Sequence, residues 1–144
     1  MDIQLQTWFQ VEEIIMPIRI EVFVKEQSVP EDLERDEHDI NATHALLIVD
    51  GQAIGTGRVF QKDIQSKTYF IGRLCVVKKY RGIGYGELLM KKLLEHAQQQ
   101  GAQDCCIHAQ RVSQLFYKKL GFIAEPEVFM EAGIEHVVMK LAMS

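Results

Sequence analysis

Three glycines at alternate positions end the stretch Leu74-Cys75-Val76-Val77-Lys78-Lys79-Tyr80-Arg81-Gly82-Ile83-Gly84-Tyr85-Gly86. The pattern before the glycines predicts a strand over Thr68 to Val77, and apolar residues at helical spacing after them predict an amphipathic helix. Because glycine lacks a side chain, the main chain can curl there and direct successive N–H groups at one anion. The N-terminus of the following helix adds about half a positive charge. The stretch therefore predicts a cradle for a pyrophosphate.

Two other phosphate-binding motifs do not match this stretch. A P-loop requires Lys after its last glycine, whereas Glu87 follows Gly86. A dinucleotide-binding fingerprint has G-x-G-x-x-G spacing at the start of a domain, whereas Gly82, Gly84 and Gly86 have G-x-G-x-G spacing in mid-chain. The glycines could serve only a tight strand-to-helix turn, but one turn rarely needs three. Anion binding is the better interpretation.

Length and composition favour one globular domain, which we expect to span residues 1–144. The sequence has no run of eighteen uncharged apolar residues, and its N-terminus lacks the pattern of a signal peptide, so we expect a cytoplasmic protein without a membrane partner. A net charge of -4 disfavours nucleic-acid binding. The cysteines show no paired CxxC spacing, which predicts buried thiols and no metal site.

The pattern along the chain predicts strands both before and after two helices, which is typical of a mixed α/β sheet covered on its faces. Pro17 interrupts an early apolar helical pattern and predicts two short helices or one kinked helix. The acidic stretch from Pro30 to Asp39 predicts a solvated loop or a rim for a cationic substrate. The remaining predicted elements are strands at 3–7, 45–49, 53–60, 105–109 and 136–141, a two-residue turn at Asp50-Gly51, and helices ended by Gly101 and Gly121.

Two segments of the sequence resemble the GNAT family of N-acetyltransferases. Arg81-x-x-Gly84-x-Gly86 is similar to the family's Q/R-x-x-G-x-G/A acetyl-CoA signature, and Leu74-Cys75-Val76 resembles its cofactor-binding strand. The segment at 110–122 is similar to the family pattern N-x-x-A-x-x-F-Y-x-K-x-G-F. This sequence departs from the pattern at Gln110, where Asn is usual, at Ser113, where Ala is usual, and at Lys78, where many members have Pro.

Two further segments resemble the ElaA-like/YjcF-like branch of the family. They are Arg19-x-x-Val22-Phe23-Val24-Lys25-Glu26-Gln27-x-Val29-Pro30 and Ala132-Gly133-Ile134-Glu135-His136. The resemblance covers nearly the whole chain. It implies an α/β (α+β) fold with a mixed, mostly antiparallel sheet of about seven strands, flanked by helices and splayed where strands four and five part.

The resemblance also implies a cofactor and the residues that bind it. The cofactor is acetyl-CoA, and the residues at the corresponding positions are Leu74, Cys75, Val76, Arg81, Gly82, Ile83, Gly84, Tyr85, Gly86 and Gln110. Tyr117 is the predicted general acid, since a phenol with an ordinary pKa of about 10 keeps its proton at neutral pH. Taken alone, Tyr117 would more simply be a packing residue beside Phe116.

The sequence alone does not decide the general base. The conceivable proton acceptors are Glu26, Glu37, His108 and His136, and the predicted catalytic residues are Glu26 and His108 together with Tyr117. His108 stands two residues before Gln110 on a predicted strand, so the two side chains share a face. A lone histidine is more often structural, Glu26 could be an ordinary surface carboxylate, and water could relay the proton instead.

Three functions are compatible with these observations. The first is transfer of an acetyl group to a primary amine of a small molecule or a protein, by direct attack; homodimers are frequent in such a family. The second is a non-catalytic acyl-CoA-binding sensor or interaction module. The third is an enzyme like the acyl-homoserine lactone synthases, since a segment like the one beginning at Arg19 also occurs in that related fold.

Overall fold

The computed structural model describes residues 1–143 and contains one seven-stranded sheet. Its order is β1-β2-β3-β4-β5-β7-β6, in which β4 and β5 are parallel and every other neighbouring pair is antiparallel. The strands are β1 (Asp2–Thr7), β2 (Thr43–Val49), β3 (Gln52–Phe60), β4 (Thr68–Val76), β5 (Asp104–Gln110), β6 (Ile123–Glu131) and β7 (Ile134–Ala142). The mixed, mostly antiparallel sheet is as predicted.

Helices lie on both sides of this sheet. They are α1 (Trp8–Arg19), α2 (Glu31–Glu34), α3 (Tyr85–Gln99) and α4 (Gln114–Lys119), with a π-helix at Ile20–Glu26 and 3₁₀ turns at Lys78–Tyr80 and Arg111–Ser113. The buried face of α3, with Leu89, Met90 and Leu93, belongs to the main core. Helix α1 buries Val11, Ile15 and other apolar residues in a second cluster that includes Leu46 of β2. No helix in the described range is long and apolar enough to cross a membrane.

Pro17 does not divide the first helix. Helix α1 continues through Pro17 to Arg19, and the chain then runs on without interruption as the π-helix Ile20–Glu26. A proline lacks the N–H that would close a turn of α-helix, and a π-helical segment is one way in which a helix departs from regular geometry. The prediction of two short helices is therefore wrong, and the continuous α-to-π segment carries Glu26 to its far end.

The turn between β2 and β3 is the predicted two-residue connection. Asp50 and Gly51 both have positive φ angles, 51° and 77°, as a type I′ turn requires. In β3, the pairing register with β4 skips between Thr56 and Arg58. A Cβ atom on Gly57 would lie 2.8 Å from Leu93 Cδ1, so α3 packs directly on the glycine backbone. The extra residue of the irregular β3–β4 pairing lies on β4, where Arg73 and Leu74 stand opposite Gly57 alone.

Strand β6 was not among the elements predicted from the chain pattern. Most of its residues are exposed, and it contains Pro126, which removes one ladder donor; its pairing with β7 is interrupted between Ala124 and Val128. A proline and an irregular register are typical of an edge strand, and β6 is the last strand of the sheet order. Its sequence therefore lacks the apolar alternation that identifies a strand with one buried face.

The three cysteines are free thiols and all are buried, as predicted. Burial raises the pKa of the Cys75 thiol and of the Cys105 thiol to about 12. At neutral pH these groups are protonated and behave as small apolar side chains.

Candidate active site

Strands β4 and β5 separate partway along their length. They pair from Thr68 opposite Asp104 to Ile71 opposite Ile107 and then diverge. A cavity of about 530 Å³ opens at this split. The residues on its walls include Gly72, Arg73, Leu74, His108, Gln110, Tyr117, Glu131 and His136. The divergence lies between strands four and five, as the resemblance to the family implies.

The open edge of β4 faces this split with its main-chain groups. The Val77 N–H donates a hydrogen bond to the Ile54 carbonyl of β3 at 2.9 Å. Because successive residues of a strand direct their N–H groups to opposite sides, the N–H groups of Val76 and Leu74 point away from β3. The Cys75 side chain is buried in the cluster beneath α1. Within Leu74–Val76, the main chain is therefore what this edge offers to a ligand.

The glycine-rich bend has the backbone conformation that its sequence predicts. Gly82 and Gly84 have φ angles of 83° and 95°, and Gly84 directly precedes α3. The N–H groups of Gly82, Ile83 and Gly84 donate no hydrogen bond to any residue from 1 to 143. The first N–H groups of a helix also lack intrahelical acceptors. The bend thus presents a set of unengaged donors at the positive end of α3, where Tyr85 and Gly86 begin the helix.

Arg81 is held in place beside the bend. Its Nε donates to the Val76 carbonyl at 2.7 Å, and its Nη1 and Nη2 donate to the two carboxylate oxygens of Glu26 at 2.9 and 2.7 Å. Glu26, a predicted base, is therefore engaged at both oxygens. The pair ties the end of the π-helix to the end of β4.

Gln110 lies at the end of β5 on the cavity wall. Its Nε2 donates to Gln27 Oε1 at 2.7 Å, which joins β5 to the residue after the π-helix. The amide at this position is thus oriented by a partner, although the family pattern usually has Asn there.

Tyr117 reaches the same cavity from α4 and is partly buried. Its ring packs edge-on against Phe116 and Phe122, with centroid separations of 5.0 and 5.9 Å. Burial raises the pKa of the Tyr117 phenol to about 12. The hydroxyl is therefore fully protonated at neutral pH and can act only as a proton donor there.

His108 forms a cluster with three residues of β6 and β7. Its Nδ1 lies 3.0 Å from Glu131 Oε1, and the ring of Phe129 packs edge-on against it at 5.2 Å. The hydrogen bond from His108 lowers the pKa of the Glu131 carboxyl, against the effect of burial. His136 is buried, and its Nε2 lies 3.8 Å from Glu131 Oε2. Glu131 was missed at the level of sequence because it ends the unpredicted strand β6.

The acidic stretch from Pro30 to Asp39 is not a solvated loop. Glu34 and Asp39 are both buried, and they surround the fully buried Arg19. Arg19 Nε donates to Glu34 Oε1 at 2.8 Å, and Arg58 Nη1 donates to Asp39 Oδ1 at 2.8 Å. The prediction was wrong for these carboxylates because arginines from other parts of the chain bring positive charge beneath the segment, and a buried charge needs a partner.

The outer residues of the segment differ from the inner ones. Asp36 and Arg73 line the cavity and lie 3.2 Å apart, whereas Glu31, Asp32 and Glu37 are exposed. Glu37, one of the conceivable bases, is outside the cavity wall. The acidic residues that do reach the cavity are paired with arginine, so they form a neutralised wall and no longer indicate a cationic acceptor.

Comparison with known proteins gives concordant results. A family model described as an acetyltransferase (GNAT) domain matches residues 9–143. The chain is 39% identical over 124 residues to "Uncharacterized N-acetyltransferase YjcF" of Bacillus subtilis, a match that covers 85% of this chain and 86% of that protein. It is 32% identical over 127 residues to "Protein ElaA" of Escherichia coli, covering 87% and 83%. The crystal structure of an acyl-CoA N-acyltransferase from Pseudomonas aeruginosa superimposes with a TM-score of 0.87, at 28% identity, over 98% of this chain and 99% of that one.

Proposed function

The chain belongs to the GNAT acetyltransferase family, and from its site we propose that it acetylates a primary amine by direct attack within the cavity between β4 and β5. It is an acetyl-CoA-dependent N-acetyltransferase by family. One observation carries the proposal: the unengaged N–H groups of the bend at Gly82–Gly84 lie at the start of α3, next to the open edge of β4. A long ligand that carries a pyrophosphate and ends in an acyl group requires an anion-binding site and an open strand edge.

The residues present fit acetyl-CoA. The glycine bend offers backbone donors and a helix N-terminus to a pyrophosphate, and the β4 edge offers the outward N–H groups of Leu74 and Val76. The proposed cofactor-binding residues are those predicted, namely Leu74, Cys75, Val76, Arg81, Gly82, Ile83, Gly84, Tyr85, Gly86 and Gln110. When bound, acetyl-CoA supplies a thioester whose carbonyl carbon is open to attack by an amine.

An outward N–H of β4 stabilises the negative charge that develops on the carbonyl oxygen during attack. A donor that is fixed in a strand needs no reorganisation at that moment, and loss of one such donor typically lowers the rate about 10²- to 10³-fold. Leu74 lines the cavity, which makes its N–H our candidate for this role.

Tyr117 supplies the proton that the leaving sulfur requires. Its phenol carries that proton throughout the neutral range because burial raises its pKa to about 12. It shares the cavity with the β4 edge, so donor and leaving group can meet there. For Glu26 we propose a positioning role: its carboxylate holds Arg81 against the end of β4, as the two hydrogen bonds at 2.9 and 2.7 Å support.

The acceptor site that we propose is the part of the cavity beyond the β4 edge. Phe23, Phe60 and Phe70 give it apolar walls, and the carboxylates of Glu34 and Asp36 on its wall are already paired with arginines. This environment favours a small amine with an apolar body, or the amine of a flexible protein side chain.

The experiment is a thermal-shift titration with acetyl-CoA followed by an amine panel of tyramine, glucosamine, spermidine and a lysine peptide, with free thiol as the readout. At about 100 times its dissociation constant, acetyl-CoA should stabilise the fold by about 2.7 kcal/mol. At least one amine should release thiol. Absence of stabilisation contradicts cofactor binding at the bend, and stabilisation without thiol release by any amine supports a non-catalytic sensor.

A further inference from the structure

The His108–Glu131 pair defines which ring nitrogen carries the proton. Glu131 is ionised at neutral pH, because its pKa is lowered from the ordinary range, and a carboxylate only accepts hydrogen bonds. The His108 Nδ1, 3.0 Å from Glu131 Oε1, must therefore be the protonated nitrogen. The neutral ring then carries its lone pair on Nε2. That nitrogen has no hydrogen-bond partner among residues 1–143, and the side chain is 37% exposed on the cavity wall.

The other conceivable bases are less available. Both oxygens of Glu26 accept hydrogen bonds from Arg81. The His136 side chain is only 8% exposed. Its Nδ1 donates to the Ile134 carbonyl at 2.7 Å, which fixes the ring in a buried position. Glu37 lies outside the cavity wall. Of the four, only His108 combines a place on the cavity wall, partial exposure and an unengaged nitrogen.

We propose that His108 is the general base of the acetyl transfer and that Glu131 is the positioning residue that holds its ring; this assignment rests on the proposed function. Nε2 takes one proton from the acceptor ammonium. The freed lone pair forms the C–N bond as the C–S bond breaks, and Tyr117 donates its proton to the sulfur. The tyrosine regains a proton from the newly acylated nitrogen, and His108 releases its proton to solvent. The products are an N-acetyl amide and a thiol, so protons and electron pairs balance.

Several charged and titratable groups share the cavity wall with His108. They are Glu131 on β6, His136 on β7, Arg73 on β4 and Tyr117 on α4, with Glu34 and Asp36 of the acidic stretch also on the cavity wall. Among them, the carboxylate of Glu131 is the group in direct contact with the ring. Replacing this carboxylate by a neutral amide removes the negative charge that faces the ring.

The test uses His108→Gln, Glu131→Gln and the control Glu125→Gln. Glu125 stands on the same strand as Glu131 and is similarly exposed, but it pairs with Lys140 at 3.3 Å on the outer surface. Nitrogen NMR of the histidine rings needs no acceptor amine. In the wild type it should show a protonated Nδ1 and an unprotonated Nε2 for neutral His108. Glu131→Gln should weaken this preference for a protonated Nδ1, which a merely structural role would not do, and Glu125→Gln should leave it unchanged.

The kinetic arm uses the panel amine that the wild type acetylates fastest. His108→Gln should lower kcat/KM by about 10²- to 10⁴-fold. It should also remove the acidic limb of the pH profile, which is the fall of kcat/KM toward low pH. Acetyl-CoA should stabilise all variants equally in the thermal-shift assay, which shows that they fold.

Either of two results overturns the assignment: a His108→Gln enzyme with wild-type turnover and an unchanged acidic limb, or an Nε2-protonated neutral ring in the wild type. A wild type that binds acetyl-CoA but acetylates no panel amine is a different failure. It overturns the proposed function, and the role of His108 as base with it.

Discussion

Arg19 and Asp39 meet inside the protein through two parallel hydrogen bonds, Nη1 to Oδ1 at 2.8 Å and Nη2 to Oδ2 at 3.1 Å. Each side chain is 1% exposed. The bonds connect the end of α1 to the acidic stretch that closes one side of the cavity. Since neither charge can reach water, the two residues depend on each other and on Glu34.

Replacing Arg19 by Met should destabilise the fold by about 3–5 kcal/mol, because it leaves buried carboxylates without their partner. Urea unfolding measures this change. The control is Arg111→Met, which breaks the exposed ion pair with Glu135 and should cost about 0–1 kcal/mol. Equal effects of the two substitutions would contradict a buried network.

Acid should weaken the fold through Asp36. Burial opposes its ionisation, but hydrogen bonds from Arg58 and the charges of Arg58 and Arg73 prevail and lower its pKa to about 2. A carboxyl whose pKa is lower in the folded state stabilises the fold above its unfolded pKa, and this stability is lost as pH falls through the folded value. Unfolding free energy should therefore decline between about pH 4 and pH 2. Asp36→Asn should flatten this decline in urea titrations at several pH values, whereas Asp32→Asn, at an exposed position, should not.

Gly84→Ala should weaken binding of acetyl-CoA about tenfold, or ~1.4 kcal/mol, because alanine resists the φ angle of 95° that turns the N–H groups of the bend outward. Gly101→Ala is the matched control, since Gly101 has a φ angle of 91° just beyond the other end of α3. Both variants should lose about 1–2 kcal/mol of stability. Calorimetric titration should show the affinity loss in the Gly84 variant alone; the same loss in both would remove the bend from the cofactor site.

Tyr117→Phe should lower turnover by about 10²-fold or more while acetyl-CoA affinity is kept, because only the transferable proton is removed. The thiol-release assay and thermal shift measure the two effects. Tyr69→Phe, at a buried core tyrosine of β4, is the control and should keep its turnover. Full activity of the Tyr117 variant would show that the sulfur takes its proton from elsewhere.

Local patterns in the sequence were sufficient for several parts of the fold. Asp50-Gly51 specified its turn by backbone preference alone, and the glycines from Gly82 to Gly86 specified a bend directly before a helix. These features depend on residues that are adjacent in sequence. The seven-stranded sheet and its split between β4 and β5 followed from the resemblance to a family and could not be derived from spacing.

Features that depend on distant partners were not predictable in the same way. Glu34 and Asp39 looked solvated because the arginines that neutralise them include Arg58, which lies on β3, far from them in sequence. Glu131 gave no signal, since its importance comes from contact with His108, 23 residues earlier in the chain. Edge strand β6 also lacks the alternation by which a half-buried strand is identified.

The short parallel pairing of β4 with β5, which ends at Ile71 and Ile107, leaves two strand edges open in the middle of the sheet rather than at its rim. An open edge can recruit a strand of another molecule and so start aggregation. Here the unpaired edges lie inside the fold, so a strand of another molecule would have to enter the cavity to pair with them.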